Sequence, residues 1–223
     1  MHLNALGNCC IKSSPNYRKK IMPKQRIKIS RHLVKANYCY SEIAWLCFCY
    51  LWTKISFPRC ALIRFPLVIR GKKNIRFGKN FKCGYHNRFE VYTSSGRLEF
   101  GNNVQINDFC HISSLCSIII GDNTLIASRV FITDHNHGLY SSQESADGEI
   151  MPIVSSPIDR DYETCPVNIG KNVWIGEGVT ILPGVNVGDY CIIGANSVVT
   201  RDLPASTISI GIPAKTIRYL GFS

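Results

Sequence analysis

Acidic side chains are almost missing from the N-terminal part of the chain: over 1–82, Glu42 stands alone against 18 lysines and arginines, a net charge of +17. The rest, 83–223, reverses the balance, with 8 basic and 14 acidic side chains, a net of −6. The basicity of the chain is therefore a property of its N-terminal part. No zinc-finger spacing and no aromatic RNA-binding signature accompanies that charge, which argues against a nucleic-acid partner. The chain also lacks a Cys-x-x-Cys pair and a secretory signal pattern, although it has eleven cysteines. An odd count, scattered spacing, adjacent Cys9 and Cys10, and Cys47 and Cys49 too close for a zinc knuckle predict reduced thiols and a cytoplasmic protein.

Long apolar runs are lacking as well. The longest, 43–52 (Ile-Ala-Trp-Leu-Cys-Phe-Cys-Tyr-Leu-Trp), has ten residues, whereas a membrane-spanning helix needs roughly 20. Two readings of it stay open: a helix that covers an exposed sheet edge, or an interfacial helix. In the second, residues 1–56 contact an anionic membrane at the inner face of the cytoplasmic membrane, the charge and the apolar residues acting together. The first ~35 residues carry little apolar pattern, and no packed structure is expected of them.

What the chain has is a rhythm. Ile169, Ile175, Ile181, Val187, Ile193 and Val199 follow one another at intervals of six, and Gly170, Gly176, Gly188 and Gly194 stand directly after four of them. A period of six fits neither an α-helix nor an alternating strand, but it is the repeat of a parallel β-helix, in which each hexad makes a short strand and a turn. The aliphatic residue points inward, and the next residue sits where a side chain would collide with the neighbouring coil. The spacing continues upstream with slips: Phe77, Cys83 and Phe89, then Phe100, Ile106, Ile112 and Ile118, then Ile120, Ile126 and Ile132. The longer step from Phe89 to Phe100 predicts an irregular turn. Cys83, at an inward position, serves as a small hydrophobe.

These patterns divide the chain into a basic lead-in with an apolar helix (1–73), the coils (74–212) and a tail (213–223). Between Thr133 and Val167 the rhythm stops and the sequence becomes polar. Glu144, Asp147, Glu149, Asp159, Asp161 and Glu163 stand there against Arg160, which predicts a long loop protruding from one corner. Four of the six histidines (His86, His111, His135 and His137) lie in the repeat region. The pair in Asp134-His135-Asn136-His137 falls where coil gives way to loop. Imidazole there suits general-base chemistry near neutral pH, though the same residues also make a good turn.

Three segments, Asp134-His135-Asn136-His137-Gly138, Ile169-Gly170-Lys171-Asn172-Val173-Trp174-Ile175-Gly176 and Gly211-Ile212-Pro213-Ala214-Lys215, together resemble the hexapeptide-repeat acyltransferases. Within that family the likeness is to O-acetyltransferases of bacterial lipopolysaccharide and capsule synthesis, related to galactoside and maltose acetyltransferases, and it extends over about residues 59–220. The resemblance implies an all-β, left-handed parallel β-helix, assembled as a homotrimer, with acetyl-CoA as co-substrate between subunits and a sugar or glycan as acceptor. It also implies site residues. His135 matches the catalytic histidine, Asn107 and Trp174 match acceptor-site positions, and His137 is a second acceptor-binding candidate. Ala127, Gly176 and Ala195 fall where small residues admit the pantetheine arm, and Thr200, Arg201, Lys215 and Arg218 fall near the coenzyme phosphates. No metal is implied. Glu177 departs from the pattern, because a small polar residue is usual there; its carboxylate either crowds the thioester arm or points outward.

Two other functions compete. A zinc enzyme of the γ-carbonic-anhydrase type would need three converging imidazoles, for which His111, His135 and His137 are the candidates. A non-catalytic β-helix scaffold would use only the flat faces.

Overall fold

The computed structural model describes residues 38–138 and 156–221. The basic residues before Tyr38 and the loop acids Glu144, Asp147 and Glu149 lie outside the described residues. The chain winds as a left-handed parallel β-helix of about seven coils and triangular section. Its first face carries Leu62–Ile63, Lys82–Cys83, Gln105–Ile106, Leu125–Ile126, Trp174–Ile175, Ile192–Ile193 and Thr207–Ile210 as parallel strands. The second face carries Leu67–Arg70, Asn87–Val91, His111–Ser114, Phe131–Thr133, Thr180–Ile181 and Val198–Val199. The third carries Ile75–Phe77, Arg97–Phe100, Ser117–Ile120, Val167–Ile169 and Asn186–Val187.

The hexad residues line the interior. Ile175, Ile181, Ile112, Ile126 and Ile132 have no solvent exposure, and Ile169, Val187, Ile193 and Val199 are buried beside them. Phe77, the first of the series, is partly buried against this core. A second inward position, two residues earlier, escaped the periodicity: Val173, Val179, Val185 and Cys191 are buried too. Each hexad therefore contributes two side chains to the core, one from the strand and one from the corner before it. The slips upstream reflect wider coils. Lys82 lies opposite Gln105, Gln105 opposite Leu125, Trp174 opposite Ile192, and Ile192 opposite Ile208, so from the second coil onward, apart from the turn that carries the polar excursion, each turn uses less chain than the one before. Phe81, Phe89 and Phe100 fill the wider section with ring centroids 4.9–6.2 Å apart.

The corners turn on residues with positive φ, among them Asn80, Asn103, Asn123, Asn172 and Asn196 at 57–59°. Asparagine tolerates this left-handed conformation better than most residues. The Asn80 amide donates to the Asn103 side-chain oxygen (3.1 Å) and that of Asn103 to Asn123 (2.9 Å), a ladder along one edge. Among the described residues the cysteines are free thiols. Burial pushes Cys83 up to about 12 and Cys60 and Cys110 up to about 11, so they stay protonated as core residues.

The first coil begins at Leu62, so the predicted start at residue 74 falls inside it. Its corner is built on Phe65-Pro66, where the hexad spacing is not expressed. At the other end, Lys215–Tyr219 runs antiparallel to Thr207–Ile210, which makes the tail the outermost strand of the first face. The apolar run lies in a helix, Tyr40–Ser56. It covers the open edge of the first coil: Ile63 N–H donates to Thr53 Oγ1 (2.9 Å) and Lys54 Nζ donates to the Cys60 carbonyl (2.9 Å). An otherwise unpaired edge is thereby satisfied by side chains. Much of the helix surface is still uncovered, with Trp45, Phe48, Leu51, Trp52 and Ile55 exposed. Among the described residues no helix is long and apolar enough to cross a membrane.

Candidate active site

The polar excursion leaves the β-helix at the edge between the second and third faces. Leu125 and Trp174 remain in register across it, so the coils close beneath the insertion as if it were absent. It opens with a short hairpin, His135–His137 against Tyr162–Thr164, which pairs His135 with Thr164 and His137 with Tyr162. His135 is thus held at the point where the chain departs from the edge. Its Nδ1 lies 3.0 Å from Asp134 Oδ1 and 3.2 Å from Thr133 Oγ1. Only 12% of its side chain is exposed, and Nε2 has no partner among the described residues.

Asp134 decides the state of that imidazole. Its carboxylate is fully buried, and Oδ2 accepts from Ser114 Oγ (2.7 Å), Cys116 N–H (2.8 Å) and Ser117 N–H (2.7 Å) while Oδ1 accepts from Leu115 N–H (2.8 Å). Burial pushes the carboxyl up, but the donors from His135, Leu115, Ser114 and Cys116 outweigh it and hold the group below its ordinary range. An ionised Asp134 fixes the proton of His135 on Nδ1 and leaves the Nε2 lone pair outward, the arrangement a general base needs. The sequence placed Asp134 in the motif but not in this role; its position directly before the histidine was the available signal.

The remaining candidates fall on two edges of the prism. Asn107, Ala127 and Gly176 follow Ile106, Ile126 and Ile175, which are in register, so they form one column at the edge between the first and second faces. The column continues at Gly194, which follows Ile193, and Ala195 is the next residue along the same corner. A Cβ on Gly176 would lie 2.6 Å from the Ala195 nitrogen, so the small residue is required there by the fold itself. Trp174 projects from the first face, half exposed, between Leu125 and Ile192. Lys215 and Arg218 are exposed on the last strand of that face. Thr200 and Arg201 belong to the other edge. Ile132, Ile181 and Val199 are in register, which puts Thr200 and Arg201 two coils from His135, ~10 Å along the axis. The second face separates the two edges by ~13 Å, the length of a short strand. Within one chain, then, His135 and His137 are brought together, whereas the small-residue column and Trp174 lie around the corner.

Glu177 is exposed and ion-pairs with Arg129 one coil below, at the same corner as the column. Within one chain the described residues do not gather the three imidazoles that the zinc alternative needs. His111 Nε2 is engaged by Glu90 at 2.8 Å, His135 Nδ1 by Asp134, and among the described residues no three His, Cys, Asp or Glu side chains converge. One cluster was not anticipated: a fully buried Glu90 surrounded by Arg70, Arg88, Tyr92 and His111 on the outer side of the second face. Its members come from three coils of unequal length, so no fixed spacing could announce it.

Known proteins share both pattern and fold. Residues 166–201 match the family model described as bacterial transferase hexapeptide (six repeats). The chain is 44% identical over 168 residues to the putative lipopolysaccharide biosynthesis O-acetyl transferase WbbJ of Escherichia coli (strain K12), covering 75% of this chain and 83% of that protein. It is 36% identical over 131 residues to the galactoside O-acetyltransferase of the same strain, covering 58% of each. Among solved structures, AntD, an N-acyltransferase from Bacillus cereus in complex with dTDP and 3-hydroxybutyryl-CoA, superposes with a TM-score of 0.58. That likeness covers 82% of this chain and 89% of that one at 19% identity, and it concerns the fold. With the hexad core, the braced histidine and a relative matched over most of its length, this chain belongs to the hexapeptide-repeat acyltransferase family.

Proposed function

We propose that the protein transfers an acetyl group from acetyl-CoA to a hydroxyl of a cell-envelope sugar, in lipopolysaccharide, O-antigen or capsule synthesis, at the seams of a homotrimer. The observation that carries this reading is the split of the candidate site over two edges of one prism. A coenzyme lying along one chain would reach the small-residue column or His135, but not both. Around a threefold axis parallel to the coils, one subunit's column faces the next subunit's His135 edge. The coenzyme then meets Ala127, Gly176 and Ala195 from one side and Thr200 and Arg201 from the other, while Lys215 and Arg218 supply further cations for its phosphates.

The chemistry follows from the state of His135. Nε2 takes the proton of the acceptor hydroxyl as its oxygen bonds to the thioester carbonyl carbon. The tetrahedral species collapses with cleavage of the C–S bond, and the imidazolium returns the proton to the departing thiolate. A thiolate leaves readily, so neither a covalent enzyme intermediate nor a metal is needed for this route. An aspartate-braced base suits a hydroxyl acceptor, whose proton must be removed during attack; a neutral amine needs less help.

The test is a transfer assay with acetyl-CoA against matched hydroxyl- and amino-bearing envelope sugars, read by mass of the product. O-acetyl product supports the proposal. Exclusive N-acetylation, or none, would count against it.

The exposed residues of the helix, next to an N-terminal sequence rich in lysine and arginine, support peripheral contact with an anionic membrane surface, where lipid-linked glycans are assembled. Leu51→Glu combined with Ile55→Glu should reduce cosedimentation of the full chain with vesicles containing anionic lipid, without altering turnover on a soluble acceptor. Unchanged cosedimentation would remove the helix from that role.

A further inference from the structure

Glu90 is an expensive residue. It has no solvent exposure, yet it carries a charge on the outer side of a β-helix face. Arg88 Nη2 donates to both of its oxygens (3.0 and 2.8 Å), Tyr92 Oη and His111 Nε2 lie 2.8 Å from Oε2, and Arg70 Nη1 lies 3.2 Å from Oε1. These hydrogen bonds hold its carboxyl below the ordinary range although burial pushes it up. Only Glu90 itself is buried, while Arg70, Arg88 and His111 reach it from the partly exposed surface; the best-attested use of a buried charge held this way is to fix one geometry.

The geometry fixed here is that of Tyr92. Its hydroxyl is tethered to Glu90 while its ring stands edge-on to the His135 imidazole, with centroids 6.5 Å apart and planes at 89°. A second phenol approaches the same imidazole from a different element. Tyr162, on the returning strand of the hairpin, lies 5.8 Å from His135 at 75° and 4.6 Å from His137. Both tyrosines are 50% exposed. Two half-exposed phenol rings therefore flank the imidazole of His135, whose Nε2 has no partner among the described residues. Neither was among the residues the sequence pointed to.

We propose that Tyr92 and Tyr162 form the acceptor subsite and take the apolar C–H face of a pyranose ring, and that Glu90 is a positioning residue that holds Tyr92 in place for it. This rests on the acyltransferase reading above. An aromatic face matches the C–H face of a sugar, and the ring presents it at low entropic cost, because few torsions have to be frozen. One tyrosine is tied to the rigid coils and the other to the hairpin, so the subsite joins scaffold and insertion beside the catalytic imidazole. Acceptor selectivity would accordingly depend on the hairpin, and coenzyme binding would not.

The experiment measures steady-state kinetics with a panel of methyl pyranosides as acceptor probes and acetyl-CoA as donor, for the parental protein and for Tyr92→Ala, Tyr162→Ala, Tyr92→Phe and Glu90→Gln. Each alanine variant should raise the acceptor KM about 10-fold, as expected for loss of an aromatic contact. The KM for acetyl-CoA and the rise in Tm on adding coenzyme A should stay at parental values. Tyr92→Phe keeps the ring and loses the tether, so it should fall between parent and alanine, and Glu90→Gln should follow it. If Glu90→Gln lowers Tm but leaves acceptor KM unchanged, the positioning role is overturned. If the alanine variants raise the KM for acetyl-CoA instead, the rings belong to the coenzyme. A parental protein that acetylates no pyranoside would overturn the function itself, a failure distinct from that of the subsite.

Discussion

Replacing His135 with alanine lowers acetyl-transfer turnover by about 10²–10⁴-fold, the usual contribution of a general base, and leaves the fold as it is. The imidazole lies at the start of the hairpin, outside the hexad core, and the rings packed against it, Tyr92 and Tyr162, are themselves half exposed. Its one strong bond is to Asp134, which keeps four other donors. The Tm should therefore stay close to the parental value, and coenzyme A should still raise it, since a ligand that binds only the native state stabilises it. Turnover by stopped assay and Tm with and without coenzyme A check both halves. Activity within a few-fold of the parent would remove His135 from catalysis.

Asp134→Asn is expected to be at least as damaging, and for two reasons. The substituted amide presents N–H groups to backbone donors, so some of the N–H groups of Leu115, Cys116 and Ser117 lose their acceptor. Each buried donor left unsatisfied costs about 1–3 kcal/mol. His135 also loses the anion that holds its proton on Nδ1, and turnover should fall about 10²–10⁴-fold. Unlike the alanine variant at 135, this one should unfold at a lower temperature. It should also change the response to acid. Asp134 and Glu90 both have folded pKa values below the unfolded ones, so the stability they contribute is complete above about pH 4. It is lost as pH falls through the folded values. The parental protein should destabilise steeply below about pH 4, and Asp134→Asn should show a shallower fall, measured by Tm across the acid range. Equal slopes would mean that Asp134 is not held ionised by the fold.

The core was legible because every coil repeats one physical demand. An inward residue must be apolar, and glycine follows it at four of the six positions, so Ile169 to Val199 announce six strands at once. The second inward series, Val173 to Cys191, was missed because its residues are small and sit before the strand rather than in it. The first coil was missed because Phe65-Pro66 forms its corner without the hexad. In the site, His135 could be found from a motif, and Asp134 stood next to it. The cluster around Glu90 could not. Arg70, Arg88, Tyr92 and His111 meet only because coils of unequal length stack their strands in register, and that register is a property of the wound chain. The same holds for the two edges. A list of candidate residues reads as one site, and only the prism shows that one chain divides it.

That division gives the most direct measurement. His135→Ala removes the base from one edge, and Ala195→Trp fills the other edge at an exposed position; each variant alone should be nearly inactive. Coexpressed with different tags and purified as mixed assemblies, the two should regain activity, because about a quarter of the seams in a random threefold mixture pair two intact edges. Mixed assemblies no more active than the separate variants would contradict a site built between subunits.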